Sequence, residues 1–127
     1  MSNQTKNNKG ALRDKSFVFA IRIVNLYKYL CEESKEYIMS KQVMRSGTSV
    51  GAMIREAEYS ESKADFIHKL AIAQKEINET LYWLELLQET EYISNKEFES
   101  IYLDATEIIK MITSSIKTVK STLITNH

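Results

Sequence analysis

Hydrophobic residues recur every three or four positions along most of the chain, which is the spacing of one face of an α-helix. Four such stretches are separated by short polar segments. They predict helices from about Asp14 to Glu33, from Lys41 to Tyr59, from Lys63 to Glu89, and from Ser94 to between Lys120 and Ile124. Because short connections favour antiparallel neighbours, the pattern predicts an all-α, antiparallel up-down-up-down four-helix bundle.

Polar residues indicate where the bundle and its helices begin. Residues 1–13 are rich in Asn, Lys and Gln. They are predicted to form a disordered N-terminal tail, so that the bundle domain spans 14–124. Serines that precede the second, third and fourth helices are predicted N-caps: Ser40, Ser62 and Ser94. The last two are followed at the third position by an acidic residue, as in a capping box.

The first helix has more apolar positions than one core-facing stripe requires. The two stripes are Phe17, Ile21 and Val24, and Phe19, Ile23, Leu26 and Leu30. Either this helix lies at the centre of the fold or its second stripe meets another subunit.

Two glycines, Gly47 and Gly51, lie one turn apart in the second helix. A glycine inside a helix costs about 1 kcal/mol relative to alanine. The expected compensation is close approach of another helix, and we predict that the second and third helices pack closely there. The alternative is a break in the second helix near Gly47.

Polar and charged residues accompany these small residues on the second and third helices. They are Arg45, Ser49, Glu56, Glu76, Glu79 and Trp83. The expected arrangement is a buried polar seam containing an ion-pair network, either between helices of one subunit or between subunits. The alternative is an acid–base pair of carboxylates in a pocket.

Composition limits the kind of protein this is. A chain of 127 residues with no proline and three glycines fits one largely helical domain. The single Cys31 excludes an intrachain disulfide and a CxxC metal site. Apolar runs are too short to span a bilayer, and the N-terminus lacks the apolar core of a signal peptide. A cytoplasmic protein without membrane contact is therefore expected.

Residues for catalysis or metal binding are sparse. Helical bundles that bind two metal ions use Glu-x-x-His on two helices, whereas only Asp65 and His68 have a comparable spacing here. No second histidine within the helices could complete a catalytic triad, and no glycine-rich phosphate loop is present. The sequence predicts no enzyme activity, no metal, no cofactor and no small-molecule substrate.

Charge is balanced overall but unevenly distributed. The first 60 residues contain ten Lys and Arg against six Asp and Glu, and the remainder seven against eleven. We expect the two halves to complement each other within the bundle. The alternative is a basic face that binds RNA or DNA, with Arg13, Lys15, Arg22 and Arg55 as candidate contacts.

The second and third helices resemble a known family. The matching segments are Gln42–Ala57, with Arg45-Ser46-Gly47-Thr48-Ser49 and Gly51-Ala52, and Ser62–Ala73 and Lys75–Leu87. They are similar to the four helix bundle protein family, which includes proteins encoded within 23S rRNA intervening sequences. The family often has asparagine after Gly-Ala, where this chain has Met53.

The resemblance implies a ring-like homopentamer of antiparallel four-helix bundles, generally without known enzymatic activity. Such a protein would have a structural or adaptor role, associated with ribosomal RNA. The family also looks similar to the accessory protein of diversity-generating retroelements, a pentamer that binds nucleic acid and a reverse transcriptase. That protein is strongly basic, whereas this chain has no net charge. A nucleic-acid-binding module acting through a basic surface of the oligomer is therefore the second expectation.

Overall fold

The computed structural model describes residues 2–125, with side chains from Gly10 to Leu123. It contains four helices: α1 (Ser2–Glu32), α2 (Met39–Glu58), α3 (Lys63–Glu89) and α4 (Asn95–Thr125). Each helix contacts the two beside it in a square: α2 and α4 both pack on α1 and on α3. The predicted antiparallel four-helix bundle is confirmed.

The start of α1 differs from the prediction. The helix begins at Ser2 rather than near Asp14. Leu12 is 7% exposed and belongs to the hydrophobic core. Leu12, which the prediction assigned to the N-terminal tail, therefore packs in the bundle. Met1 and the side chains of residues 2–9 lie outside the described part of the tail.

One apolar face of each helix forms a continuous core. The fully buried large side chains are Phe19, Ile23, Leu30, Val43, Val50, Leu70, Ile77, Leu84, Leu87, Ile108 and Ile112. They include the α1 stripe of Phe19, Ile23 and Leu30. Partly buried residues such as Met53 pack against this core, so the position where the family often has asparagine serves packing here.

The N-terminus of α2 is capped by a residue that precedes the predicted cap. The helix begins at Met39, and Ser40 lies inside its first turn. The carboxylate of Glu36 accepts backbone hydrogen bonds from Ile38, Met39 and Ser40, at 3.0, 3.0 and 2.7 Å. The prediction of Ser40 as the N-cap was therefore wrong, because a glutamate side chain folds back from the connection onto the free amides.

The other two predicted caps are confirmed. The Ser62 hydroxyl accepts a hydrogen bond from the Asp65 amide at 3.0 Å, and the Ser94 hydroxyl accepts one from the Glu97 amide at 3.1 Å. Each satisfies an amide that has no partner within its helix. None of the helices between residues 2 and 125 is long and apolar enough to cross a membrane.

Candidate functional site

The small-residue surface of α2 faces α1. A Cβ atom added at Gly47 would lie 2.8 Å from Cγ1 of Ile23, and one at Gly51 would lie 3.5 Å from the carbonyl oxygen of Ser16. Helix α2 continues through both glycines, so it has no break near Gly47. Helices α2 and α3 pack closely as predicted, but the two glycines face α1 rather than α3.

The α2–α3 contact contains a buried pair of hydroxyl groups. Ser46 and Thr80 are both fully buried. Their hydroxyl oxygens are 2.8 Å apart, and the Thr80 hydroxyl also lies 2.8 Å from the carbonyl oxygen of Glu76. This pair satisfies its own polar atoms within an apolar contact, which makes it a specific register point between the two helices.

Beside this pair, Arg45 of α2 binds two carboxylates of α3, one of which also binds Trp83. Its guanidinium is 3.2 Å from Glu76 and forms a closer ion pair with Glu79. The indole nitrogen of Trp83 donates to the same Glu79 carboxylate at 3.1 Å. We call Arg45, Glu76, Glu79 and Trp83 the α2–α3 cluster.

The charges of this cluster stabilise one another. The hydrogen bond from Trp83, followed by that from Arg45, lowers the pKa of Glu79. The hydrogen bond to Glu79 raises the pKa of Arg45 further above its already high ordinary value. Both groups therefore stay charged at neutral pH, which suits an ion pair and leaves Glu79 a poor general base.

The α2–α3 cluster is less buried than the predicted polar seam and contains fewer residues. The Arg45 side chain is 51% exposed and that of Glu79 is 32% exposed, whereas that of Glu76 is 15% exposed. Ser49 bonds only to the Arg45 carbonyl oxygen of its own helix, at 2.8 Å. Glu56 lies 3.3 Å from Lys69, away from the cluster. The structure thus brings four of the six predicted seam residues together within one chain.

The candidate nucleic-acid contacts do not form one free basic patch. Three of them have carboxylate partners: Arg13 with Glu58, Lys15 with Glu107, and Arg22 with Asp104. The Arg55 guanidinium lies 5.0 Å from the ring centre of Phe17. The partners of the three α1 cations lie on α2 or on α4, and Arg55 of α2 contacts α1, so all four side chains link α1 to a neighbouring helix.

The second apolar stripe of α1 lies on the outside of the bundle. Phe17 is 51% exposed and Ile21 is 46% exposed. Helix α1 contacts α2 and α4 but not α3, so it is not central to the fold. One of the two sequence-based explanations for the stripe is thereby removed.

Within the described residues, no group of three or more His, Cys, Asp or Glu side chains could hold a metal ion. A shallow cavity of about 290 Å³ lies between α1 and α4 and includes Arg22 and Glu97. A larger groove of about 820 Å³ opens at the other end of the bundle, beside Leu12, Phe66 and Val119. The α2–α3 cluster lines neither of these cavities.

Two polar features were missed by sequence reasoning. Glu36 was assigned to a polar connection, and the Ser46–Thr80 pair was not predicted. Ser46 lies three residues after the apolar Val43, on the same helical face, which could have identified it as buried. Nothing in the local pattern distinguishes Glu36 from its exposed neighbour Glu33.

Comparison with known proteins identifies the family of this chain. Residues 9–114 match the 23S rRNA-intervening sequence protein family. The chain belongs to this family. The match extends from α1 into α4, so it covers all four helices, including the α2–α3 cluster and the glycines of α2.

A solved structure from the S23 ribosomal protein family of Bacteroides thetaiotaomicron VPI-5482 is also similar. It is 61% identical, covers 87% of this chain and 98% of its own chain, and superposes with a TM-score of 0.86. The function of that protein is unknown. No curated protein matches this family member.

Proposed function

We propose that this protein is a non-enzymatic homo-oligomer, a ring of five chains, with a structural or adaptor role associated with ribosomal RNA. The observation that carries the assembly is the exposed stripe of Phe17 and Ile21 on α1. Membership of the 23S rRNA-intervening sequence protein family supports the association with ribosomal RNA.

The exposed stripe favours contact between chains. Two large apolar side chains on successive turns of one helix expose a continuous apolar strip to water. Covering such a strip gains about 25 cal/mol per Å² of apolar surface. Because α1 is an outer helix with no further helix over this face, a second copy of the chain can cover it.

The surroundings of the stripe suit a specific contact. Arg55 of α2 lies over the ring of Phe17, which fixes a charged group at the edge of the apolar strip. An apolar centre with an arginine at its rim is typical of protein–protein interfaces. The α1–α2 contact beneath is tightly packed at Gly47, where an added Cβ would lie 2.8 Å from Ile23.

The mass of the particle in solution tests the assembly. Light scattering after size exclusion is expected to give about five times the 14.7 kDa of one chain. An Ile21→Lys variant should dissociate, because the lysine charge would be buried between chains. A wild-type protein that is monomeric at micromolar concentration would contradict the proposal.

Ile38 provides a matched control. It is 78% exposed and lies in the connection between α1 and α2. An Ile38→Lys variant makes the same chemical change away from the stripe and should keep the mass of the wild type. Equal dissociation of both variants would mean that the stripe is not the contact.

Association with ribosomal RNA is tested separately, in cells. Ultraviolet crosslinking followed by sequencing of the bound RNA is expected to enrich 23S rRNA above an untagged control. Recovery at the level of the control would remove the ribosomal part of the proposal and leave the assembly unaffected.

A further inference from the structure

The second half of α4 is basic. Residues 108–127 contain three lysines and no Asp or Glu. Lys110, Lys117 and Lys120 follow one another at helical spacing, together with Thr113, so they lie along one stripe. From Lys110 to Lys120 the stripe extends about 15 Å along the helix axis. We call these four residues the α4 lysine stripe.

A hydrogen bond places this stripe beside α3. The side-chain amide of Gln74 donates to the Thr113 hydroxyl at 2.9 Å. Lys75 directly follows Gln74, and Lys63 lies about three turns earlier, toward the end of the bundle where α4 ends. Because the two helices are antiparallel, Lys63 lies near the C-terminal end of the stripe, whereas the charge of Lys75 helps to lower the pKa of Glu79.

The three lysines of the stripe and Lys63 are available to a partner. All four are exposed in the described part of the chain, and none of them is among the ion pairs of residues 10–123. Arg13, Lys15 and Arg22 differ from these lysines, because each of them forms an ion pair with a carboxylate.

Of the carboxylates near the stripe and its flanking lysines, Glu107 and Glu79 already have partners, and Glu61 is exposed two residues before Lys63. Glu107 lies one turn before Lys110 and is paired with Lys15. Glu79 lies one turn after Lys75 and is bound by Arg45 and Trp83. The charge of the stripe is therefore only partly offset by its neighbours.

The surroundings of the stripe favour a phosphate backbone as partner. Contacts to phosphates are made by lysine together with hydroxyl and amide groups, and the stripe combines lysines with Thr113 and Gln74. Binding to a lipid surface needs apolar side chains that insert beside the charges. From Lys110 to Lys120 no large apolar side chain is exposed, and the exposed Leu103 lies two turns before Lys110.

We infer that the α3–α4 face, centred on the α4 lysine stripe, binds the sugar–phosphate backbone of nucleic acid. The contact is to phosphates and so depends little on base sequence. It lies on a different face from the exposed α1 stripe, and it holds whether the protein acts as one chain or as a ring.

Fluorescence anisotropy with labelled 20-nucleotide RNA and DNA strands tests the inference at two salt concentrations. The wild type should bind both strands at low salt and more weakly at high salt. A variant with Lys110→Gln, Lys117→Gln and Lys120→Gln should bind at least about tenfold more weakly. Its log–log salt slope should be about 2 units shallower, because each phosphate contact to a single strand contributes about 0.7.

A control variant removes the same charge at the other end of the bundle. Lys28, Lys41 and Lys96 are exposed, and changing all three to Gln should leave binding near that of the wild type. Arginine at positions 110, 117 and 120 should retain binding, since it preserves the charge. Light scattering on each variant separates loss of binding from loss of assembly.

Three results would overturn the inference. The first is no binding of either strand by the wild type at low salt. The second is an equal loss in the two glutamine variants, which would indicate an effect of net charge alone. The third is equally tight binding of poly-glutamate, which would indicate an acidic protein as partner. A preference for RNA over DNA would add a contact to the 2′-hydroxyl of the bound strand.

Discussion

The two glycines of α2 have different roles at the level of single residues. A Cβ atom at Gly47 would lie 2.8 and 2.9 Å from Cγ1 and Cγ2 of Ile23. Those atoms are attached to the Cβ of a fully buried, β-branched side chain, which has little freedom to move. At Gly51 the nearest atom is 3.5 Å away, an ordinary contact. Only Gly47 is required by packing.

We expect Gly47→Ala to destabilise the protein and Gly51→Ala to stabilise it. Overpacking of a core typically costs 1–3 kcal/mol, which exceeds the gain of about 1 kcal/mol in helix propensity. At Gly51 the added Cβ meets no atom closer than 3.5 Å, so only the gain in helix propensity remains. Urea unfolding at one protein concentration measures both. Shifts of the same sign would contradict the distinction.

Glu36 is a second residue with a specific role, since its carboxylate caps the first amides of α2. Its side chain is buried, and burial alone would raise its pKa. The hydrogen bonds from the amides of Met39, Ser40 and Ile38 outweigh this effect and lower the pKa below its ordinary value of 4.5. The carboxylate therefore stabilises the start of α2 in its charged form.

The sign of the pH dependence follows from the lowered pKa. The stability contributed by Glu36 is fully present above about pH 4.5 and is lost as the pH falls through the lower value of the folded state. Glu36→Gln presents one acceptor oxygen instead of two and should cost about 1–2 kcal/mol at pH 7. Its unfolding free energy should also fall less steeply with acid.

Denaturant unfolding of this variant between pH 7 and pH 3 checks both expectations. Glu33 is exposed in the same connection, so Glu33→Gln is a control that should behave as the wild type. Parallel pH curves for Glu36→Gln and the wild type would show that the carboxylate does not cap α2.

At the scale of elements, the α2–α3 contact combines a buried hydroxyl pair with an exposed ion-pair cluster. The two differ in how much water they meet: Ser46 and Thr80 are fully buried, whereas the Arg45 side chain is 51% exposed. Exposed ion pairs contribute about 0–1 kcal/mol. Leaving one buried polar group without a partner costs about 1–3 kcal/mol.

Thr80→Val should therefore destabilise the bundle more than Arg45→Ala. The valine leaves the Ser46 hydroxyl without its partner across the helices. Loss of Arg45 removes ion pairs whose arginine is 51% exposed, and Glu79 keeps its hydrogen bond from Trp83. Chemical unfolding of both variants compares them directly. Adding Ser46→Ala to Thr80→Val should recover part of the loss, and a purely additive result would argue against a coupled pair.

At the scale of the whole molecule, α1 has two apolar faces, one in the core and one exposed to solvent. Phe19, Ile23 and Leu30 fill the core on one side, and Phe17 and Ile21 remain exposed on the other. If copies of the chain cover the exposed stripe, folding and assembly are linked, because only the folded chain presents this face.

The midpoint of thermal unfolding should then rise with protein concentration. We expect this increase for the wild type and for Ile38→Lys, and none for Ile21→Lys. Differential scanning calorimetry over a hundredfold range of concentration provides the measurement. A concentration-independent midpoint for the wild type would contradict linked assembly.

The sequence alone determined the helices and most of their boundaries. Their type follows from hydrophobic periodicity, which is local information, and the caps at Ser62 and Ser94 follow from side chains next to the amides they satisfy. The family could also be recognised from α2 and α3. The alternative of a central α1 could not be removed, because apolar spacing does not tell which helices surround it.

Only the tertiary structure decided which surfaces meet. Gly47 packs on Ile23 of α1 rather than on α3, because the rotation of α2 about its axis is set by the whole core. Arg22 forms an ion pair with Asp104 of α4, whereas Lys117 has no ion pair among residues 10–123. The sequence around each cation does not show this difference, because it depends on which side chain a distant helix places nearby. Local spacing determines which residues share a face, and long-range packing determines what that face touches.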